Sequence, residues 1–230
     1  MMHGNLMYYV ITFVFMAISM GVSSMLKRRF QEYSQIRIGL TGKEVAEKML
    51  QENGIYDVQV VSVPGQLTDH YNPATKTVNL SEWVYNQPTV AAAAVAAHEC
   101  GHAVQHNEAY AWLTIRSKLV PVVNIGARFM PWVLMIGLAI FYYGNPLVFM
   151  IGIAMFAATT VFSFITLPVE FDASNRALKW LDTTGIMASQ EHEKAKNALW
   201  WAAMTYVVAA LASLAQLLYY VFILLNRRRD

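Results

Sequence analysis

Three stretches of this chain carry no Asp, Glu, Lys or Arg: residues 1–26, 129–169 and 197–226. A bilayer core asks for about 20 consecutive apolar residues in a helix. Inside it every backbone N–H and C=O must be satisfied within the segment, which confines such stretches to helices. Residues 8–25 are long enough for one span. The run 129–169 holds most of two, and Tyr143-Gly144-Asn145-Pro146 supplies the turn between them. The first of these two starts near Leu119 or Val123, which places Arg128 inside it, where its guanidinium either snorkels to the interface, the favoured reading, or pairs with an acid near the site. The second ends at Leu167-Pro168, where the proline breaks the span and opens a new helix. Residues 197–226 form the last span, ahead of Arg227-Arg228-Arg229.

Composition agrees with this reading. Hydrophobic residues make up 56% of the 230 and charged ones 14%, against about 25% charged in average globular chains. The cluster Lys27-Arg28-Arg29 follows the first apolar run instead of preceding it, so the run reads as a retained anchor and not a cleaved signal. A net charge of +2 gives no basis for a nucleic-acid partner. The one cysteine, Cys100, rules out an intramolecular disulfide.

Between the first two spans the chain is more polar. Thr41-Gly42-Lys43-Glu44 has the form of a capping box opening a helix that ends near Gly54. Residues 58–63 alternate as a strand, Pro64-Gly65 turns, and Asn72-Pro73 turns again. Residues 76–81 read as a second short strand. The resulting α+β unit is too small to bury much by itself and is expected to pack on the helix that follows. A strand just ahead of that helix offers an edge along which an extended peptide can pair.

The helix itself is expected to start after Pro88 and run to Ile115 or beyond. It opens with the strong helix formers of residues 91–97 and then reads His98-Glu99-Cys100-Gly101-His102, a match to H-E-x-x-H. Residues four apart share a helix face, so His98 and His102 can point at one ion. Zinc suits two imidazoles and an open position for water, and Glu99 is placed to take a proton from that water as general base. Cys100 reads as a small buried helix residue. His106 lies a further turn along the same straight helix, badly placed for an ion already held by the other two. It reads as outer support or solvent-exposed.

Two helical histidines need a third protein ligand, commonly a carboxylate. Downstream acids are few: Glu108 on the motif helix, Glu191 and Glu193 in a charged stretch, Asp182 near a turn at Gly185, and Glu170 and Asp172 next to a span. The last two are the candidates. They lie two residues apart and so face about 200° apart on a helix, which leaves one ligand and not two.

Nine Lys/Arg from Lys27 to Lys118, and four from Arg176 to Lys196, flank the same side of a four-span chain. By the positive-inside rule this places the site in the cytoplasm, against the three arginines of the tail.

The chain resembles the YugP-like family of membrane zinc metallopeptidases. The resemblance rests on residues 67–81, LTDHYNPATKTVNLS, residues 91–105, AAAAVAAHECGHAVQ, and residues 167–177, LPVEFDASNRA, together with the N-terminal anchor. It implies a multi-pass membrane protein, zinc and peptide-bond hydrolysis. More distantly the chain is similar to the HtpX-type and CAAX-prenyl-type membrane metalloproteases. That similarity implies Glu170 as the third ligand, but where those families commonly carry an Asp four residues later this chain has Ser174.

The expected fold is a mainly α membrane protein with about four transmembrane helices and a small α+β zincin-like unit built around the HExxH helix. Its parts are an anchor over 1–26, the α+β unit with the zinc-binding helix over 27–118, a transmembrane hairpin over 119–168, a helix carrying the third ligand over 169–197, and a last span with a basic tail over 198–230. The expected function is a zinc-dependent endopeptidase in the cell membrane. Zinc is held by His98, His102 and Glu170, Glu99 is the general base, and the partners are the lipid bilayer and a peptide or protein substrate. His70, Tyr71 and Arg176 are candidate donors to an oxyanion. The rival reading is a membrane scaffold, or an inactive protease relative with a structural metal.

Overall fold

A computed structural model of the chain describes residues 2–226, with side chains from Leu6 onward. The basic tail Arg227-Arg228-Arg229 lies outside the described residues. In chain order the elements are α1 (Met2–Tyr33), α2 (Gly42–Glu52), β1 (Gln59–Val63), β2 (His70–Asn72), β3 (Thr77–Ser81), α3 (Glu82–Asn86), α4 (Val90–Asn107), α5 (Ala111–Tyr142), α6 (Leu147–Thr183) and α7 (Ser189–Asn226). The chain is therefore mainly helical with one small sheet. Four helices are long and apolar enough to cross a membrane: Leu6–Tyr33 within α1, and α5, α6 and α7.

The helices contribute to two compact units. One gathers the chain up to Gly21, Ile115–Leu167, and the residues from Thr205 on. Its core is Leu134, Phe141, Phe149, Ile153 and Phe156, packed on by Tyr220 and Leu217. Small residues let α5 and α6 approach closely there: a Cβ on Gly137 would sit 2.6 Å from the Phe149 nitrogen, and one on Gly152 would sit 2.9 Å from Leu134 Cδ2. The turn between the two helices is where Tyr143-Gly144-Asn145-Pro146 predicts it. Gly144 takes φ 111°, and Asn145 Oδ1 accepts from the Leu147 N–H at 2.9 Å.

The other unit comprises Val22–Thr114 and Pro168–Met204. Its α2 starts at the expected capping box. Glu44 N–H donates to Thr41 Oγ1 at 3.3 Å, and Thr41 N–H donates back to Glu44 Oε2 at 2.7 Å. The sheet has order β1-β3-β2, with β1 parallel and β2 antiparallel to β3. At its centre lies α4. The alanines at 91, 92, 93, 94, 96 and 97 are fully buried, and their small side chains bring α2, β3, α6 and α7 together around the helix.

Three sequence expectations are corrected. First, α4 does not run on to Ile115. Ala109 takes φ 50°, Tyr110 N–H bonds to Gln105 C=O at 2.9 Å and Ala109 N–H to His106 C=O at 3.2 Å. This is a Schellman stop, with alanine where glycine is the usual signal. Second, α6 does not break at Pro168. The proline cannot donate to the carbonyl one turn earlier, yet the helix continues because Val169, Ala173 and Ala177, all fully buried, form a core-facing stripe that holds it. Third, the strand just ahead of the motif helix is not an edge. β3 is paired on both sides, and the edge near α4 is β2, a three-residue strand within a stretch that the sequence reads as turns.

Candidate metal centre

The site is assembled from one face of α4 and one turn of α6. Thr89 caps α4, its Oγ1 accepting from Ala92 N–H at 3.3 Å. Two turns later His98 and His102 stack edge to face, ring centroids 4.8 Å apart. Both aim Nε2 at the carboxylate of Glu170, whose Oε2 is 3.4 Å from His98 Nε2 and 3.7 Å from His102 Nε2. One ligand atom from each of the three residues lies within 4.8 Å of the other two. Tetrahedral zinc with bonds of about 2.0–2.2 Å spaces its ligand atoms by about 3.3–3.6 Å. The donor set, two imidazoles and one carboxylate, fits zinc in chemistry, and the separations of 3.4 and 3.7 Å from Glu170 lie near that spacing.

Electrostatics point the same way. Burial alone would push the His102 imidazole down; the Glu170 and Glu99 carboxylates, with Gln105, outweigh it and hold His102 above the ordinary histidine range. The pocket thus favours positive charge between its ligands.

The helices come this close because position 101 is glycine. A Cβ there would meet the Ala173 carbonyl oxygen at 2.5 Å and the Ala173 Cα at 3.1 Å, both backbone atoms of α6. Gly101, one of the free positions of the motif, thus sets the distance between the histidine helix and the glutamate helix. Gly101→Ala is expected to cost about 1–3 kcal/mol in overpacking and to lower zinc affinity about tenfold or more by displacing Glu170. Zinc titration of the purified variant, with its thermal unfolding midpoint, checks this. The other free position, Cys100, is buried with Sγ 3.6 Å from the Ala46 carbonyl. Burial pushes its thiol well above the usual range.

The far sides of the ligands are held by residues that the sequence reading did not select. His98 Nδ1 lies 3.1 Å from Ser174 Oγ, so the serine found at the fourth position after Glu170 buttresses a histidine. His102 Nδ1 lies 3.0 Å from Gln105 Oε1. The amide of Gln105 is oriented by two acceptors, since its Nε2 donates to Val169 C=O and to Asp172 Oδ2, both at 2.8 Å. Its oxygen must then face His102, which puts an imidazole proton on Nδ1 and leaves Nε2 as the nitrogen that would bind a cation placed between it and Glu170. Helical spacing was the available signal: Gln105 is three residues from His102, and Ser174 four from Glu170.

Asp172 is not among the residues grouped around the metal position. It accepts from Gln105 and, at 2.6 Å, from Arg176 Nε, and Arg176 Nη1 continues to Glu108 Oε2 at 2.6 Å. Arg176 is thereby part of a chain of ion pairs behind His102. His70 is exposed, with Nδ1 2.7 Å from Thr68 C=O. Tyr71 lies closer to the chemistry than the other two oxyanion candidates. Its backbone N–H donates to Glu99 Oε2 at 3.0 Å, and its phenol oxygen lies 2.9 Å from His106 Nδ1. His106 therefore buttresses the β2 tyrosine from outside the metal cluster.

Residues 8–225 match the model of a family described as "putative neutral zinc metallopeptidase". The chain is 40% identical over 227 residues to the "Putative membrane protease YugP" of Bacillus subtilis (strain 168), covering 98% of this chain and 100% of that protein. No solved structure matches. With the match running nearly end to end, and with a His98–His102–Glu170 cluster positioned to bind a metal ion, the chain belongs to this zinc metallopeptidase family.

Proposed function

We propose that the protein is a membrane-embedded zinc endopeptidase whose sheet and α4 form a zincin-like unit. The observation that supports this best is the convergence of His98, His102 and Glu170 with Glu99 on the same helix. His98, His102 and Glu170 would hold the zinc, which would supply a Lewis acid for the scissile carbonyl and lower the pKa of a water molecule. Glu99, nearly buried and oriented by the Tyr71 N–H, takes the proton of the attacking water and passes it to the leaving amine. Gln105 and Ser174 fix the imidazoles so that their Nε2 atoms stay on the ligand side. Asp172 and Arg176 anchor Gln105.

The substrate in this reading is a peptide or protein associated with the membrane. The cell membrane and a site on its cytoplasmic side are supported by the four apolar helices and by the thirteen Lys/Arg over residues 27–118 and 176–196. Metal removal tests the proposal. Chelation of the protein in lipid nanodiscs is expected to abolish hydrolysis of an unfolded protein substrate, and one equivalent of zinc per chain is expected to restore it. Hydrolysis that survives complete zinc removal refutes the proposal.

A further inference from the structure

In the unit that carries the metal cluster lies a cavity of about 570 Å³ that the catalytic scheme does not use. Its position ties it to the site. Ala94 and Val95 of α4 form part of its wall, four and three residues before His98 and so one turn away on the same side of the helix, about 5.4 Å along the axis. Asp69 also lines it, two residues before the tyrosine whose N–H holds Glu99. Asp69 is itself fixed, accepting from the Ser81 N–H at 2.7 Å. A chain laid along α4 from the metal cluster covers that distance in about two residues, at about 3.3–3.6 Å per extended residue.

By area most of the wall is apolar, with Phe30 of α1, Trp83 of α3, and Ala198 and Ala202 of α7, while Lys27, Gln31, Gln35 and Gln66 give it a polar side. The alanines leave the space that larger residues would fill. Its volume lies within the range of pockets that bury a sizeable ligand, about 300–1,000 Å³, and exceeds what one leucine or phenylalanine occupies. Ala198 and Ala202 belong to the uncharged run 197–226, whereas Phe30 follows the cationic cluster Lys27-Arg28-Arg29.

The geometry points to this cavity as the subsite that takes large apolar side chains of the substrate within about two residues of the bond cleaved, so that the substrates are polypeptides with consecutive apolar residues, as in membrane-derived or unfolded segments. This rests on the peptidase reading. Val95 and Ala202 lie on its wall, so a larger side chain at either would fill part of it.

The test uses full-length, zinc-loaded protein in nanodiscs and a Gly/Ser-rich decapeptide through which a leucine or phenylalanine is walked. Cleavage is read with the wild type, Ala202→Phe and Val95→Phe, and binding of the same peptides with Glu99→Gln. Zinc content verifies that each variant is folded. At one position the apolar residue is expected to improve both binding and kcat/KM by at least about tenfold over glycine. Either filled variant is expected to bring that ratio close to one. Cleavage with no apolar preference, or a preference that both filled variants retain, overturns the subsite and leaves the peptidase standing. Apolar-selective binding without cleavage by the wild type overturns the peptidase and leaves the subsite. Neither binding nor cleavage overturns both.

Discussion

Glu170→Ala is expected to empty the metal site. The carboxylate is almost fully enclosed and faces both histidines through one oxygen, so its removal takes away the only anionic member of the cluster. What remains is two imidazoles and a void, a weak site for a divalent ion. Zinc measured in the purified protein should fall to background, and peptide hydrolysis with it. Asp172→Ala is the control. It removes the partner of Gln105 and Arg176 and is expected to weaken zinc by about 10–100-fold, as loss of an outer support does. The reverse pattern, zinc lost with Asp172→Ala and kept with Glu170→Ala, would exchange their roles.

The second large effect separates metal binding from chemistry. Glu99→Gln keeps an oxygen that can accept from the Tyr71 N–H but cannot take a proton from water. Zinc content should stay at the wild-type value while the rate falls by about 10²–10⁴-fold. Wild type and variant equally inactive with zinc bound would favour the scaffold reading. Rate loss accompanied by zinc loss would instead make Glu99 part of the binding site.

Much of this architecture is legible in the amino-acid order, and the reasons are local. Uncharged runs mark the four apolar helices, the Thr41–Glu44 box and the Gly144 turn carry their own hydrogen bonds, and the H-E-x-x-H spacing is a property of one helix. The features that escape are those decided by another segment. The end of α4 rests on Ala109 in a conformation that glycine usually advertises. β2 exists only because β3 lies beside it. The continuity of α6 through Pro168 comes from a buried stripe that outweighs one missing hydrogen bond. Gly101 looks interchangeable until α6 is placed against it. Likewise Ser174 and Gln105 have no distinctive local signature, and their roles appear only when α4 and α6 face each other.

The buried position of Cys100 has a practical consequence. It is the chain's one thiol, enclosed in the motif helix against α2 and held protonated by its surroundings. A cysteine introduced at an exposed point, such as Tyr56 or Tyr143, would therefore be the one group accessible to a maleimide. Spectroscopic labels and membrane-sidedness probes can be placed one at a time on the native sequence, without first engineering a cysteine-free background that would alter the residue between Glu99 and Gly101.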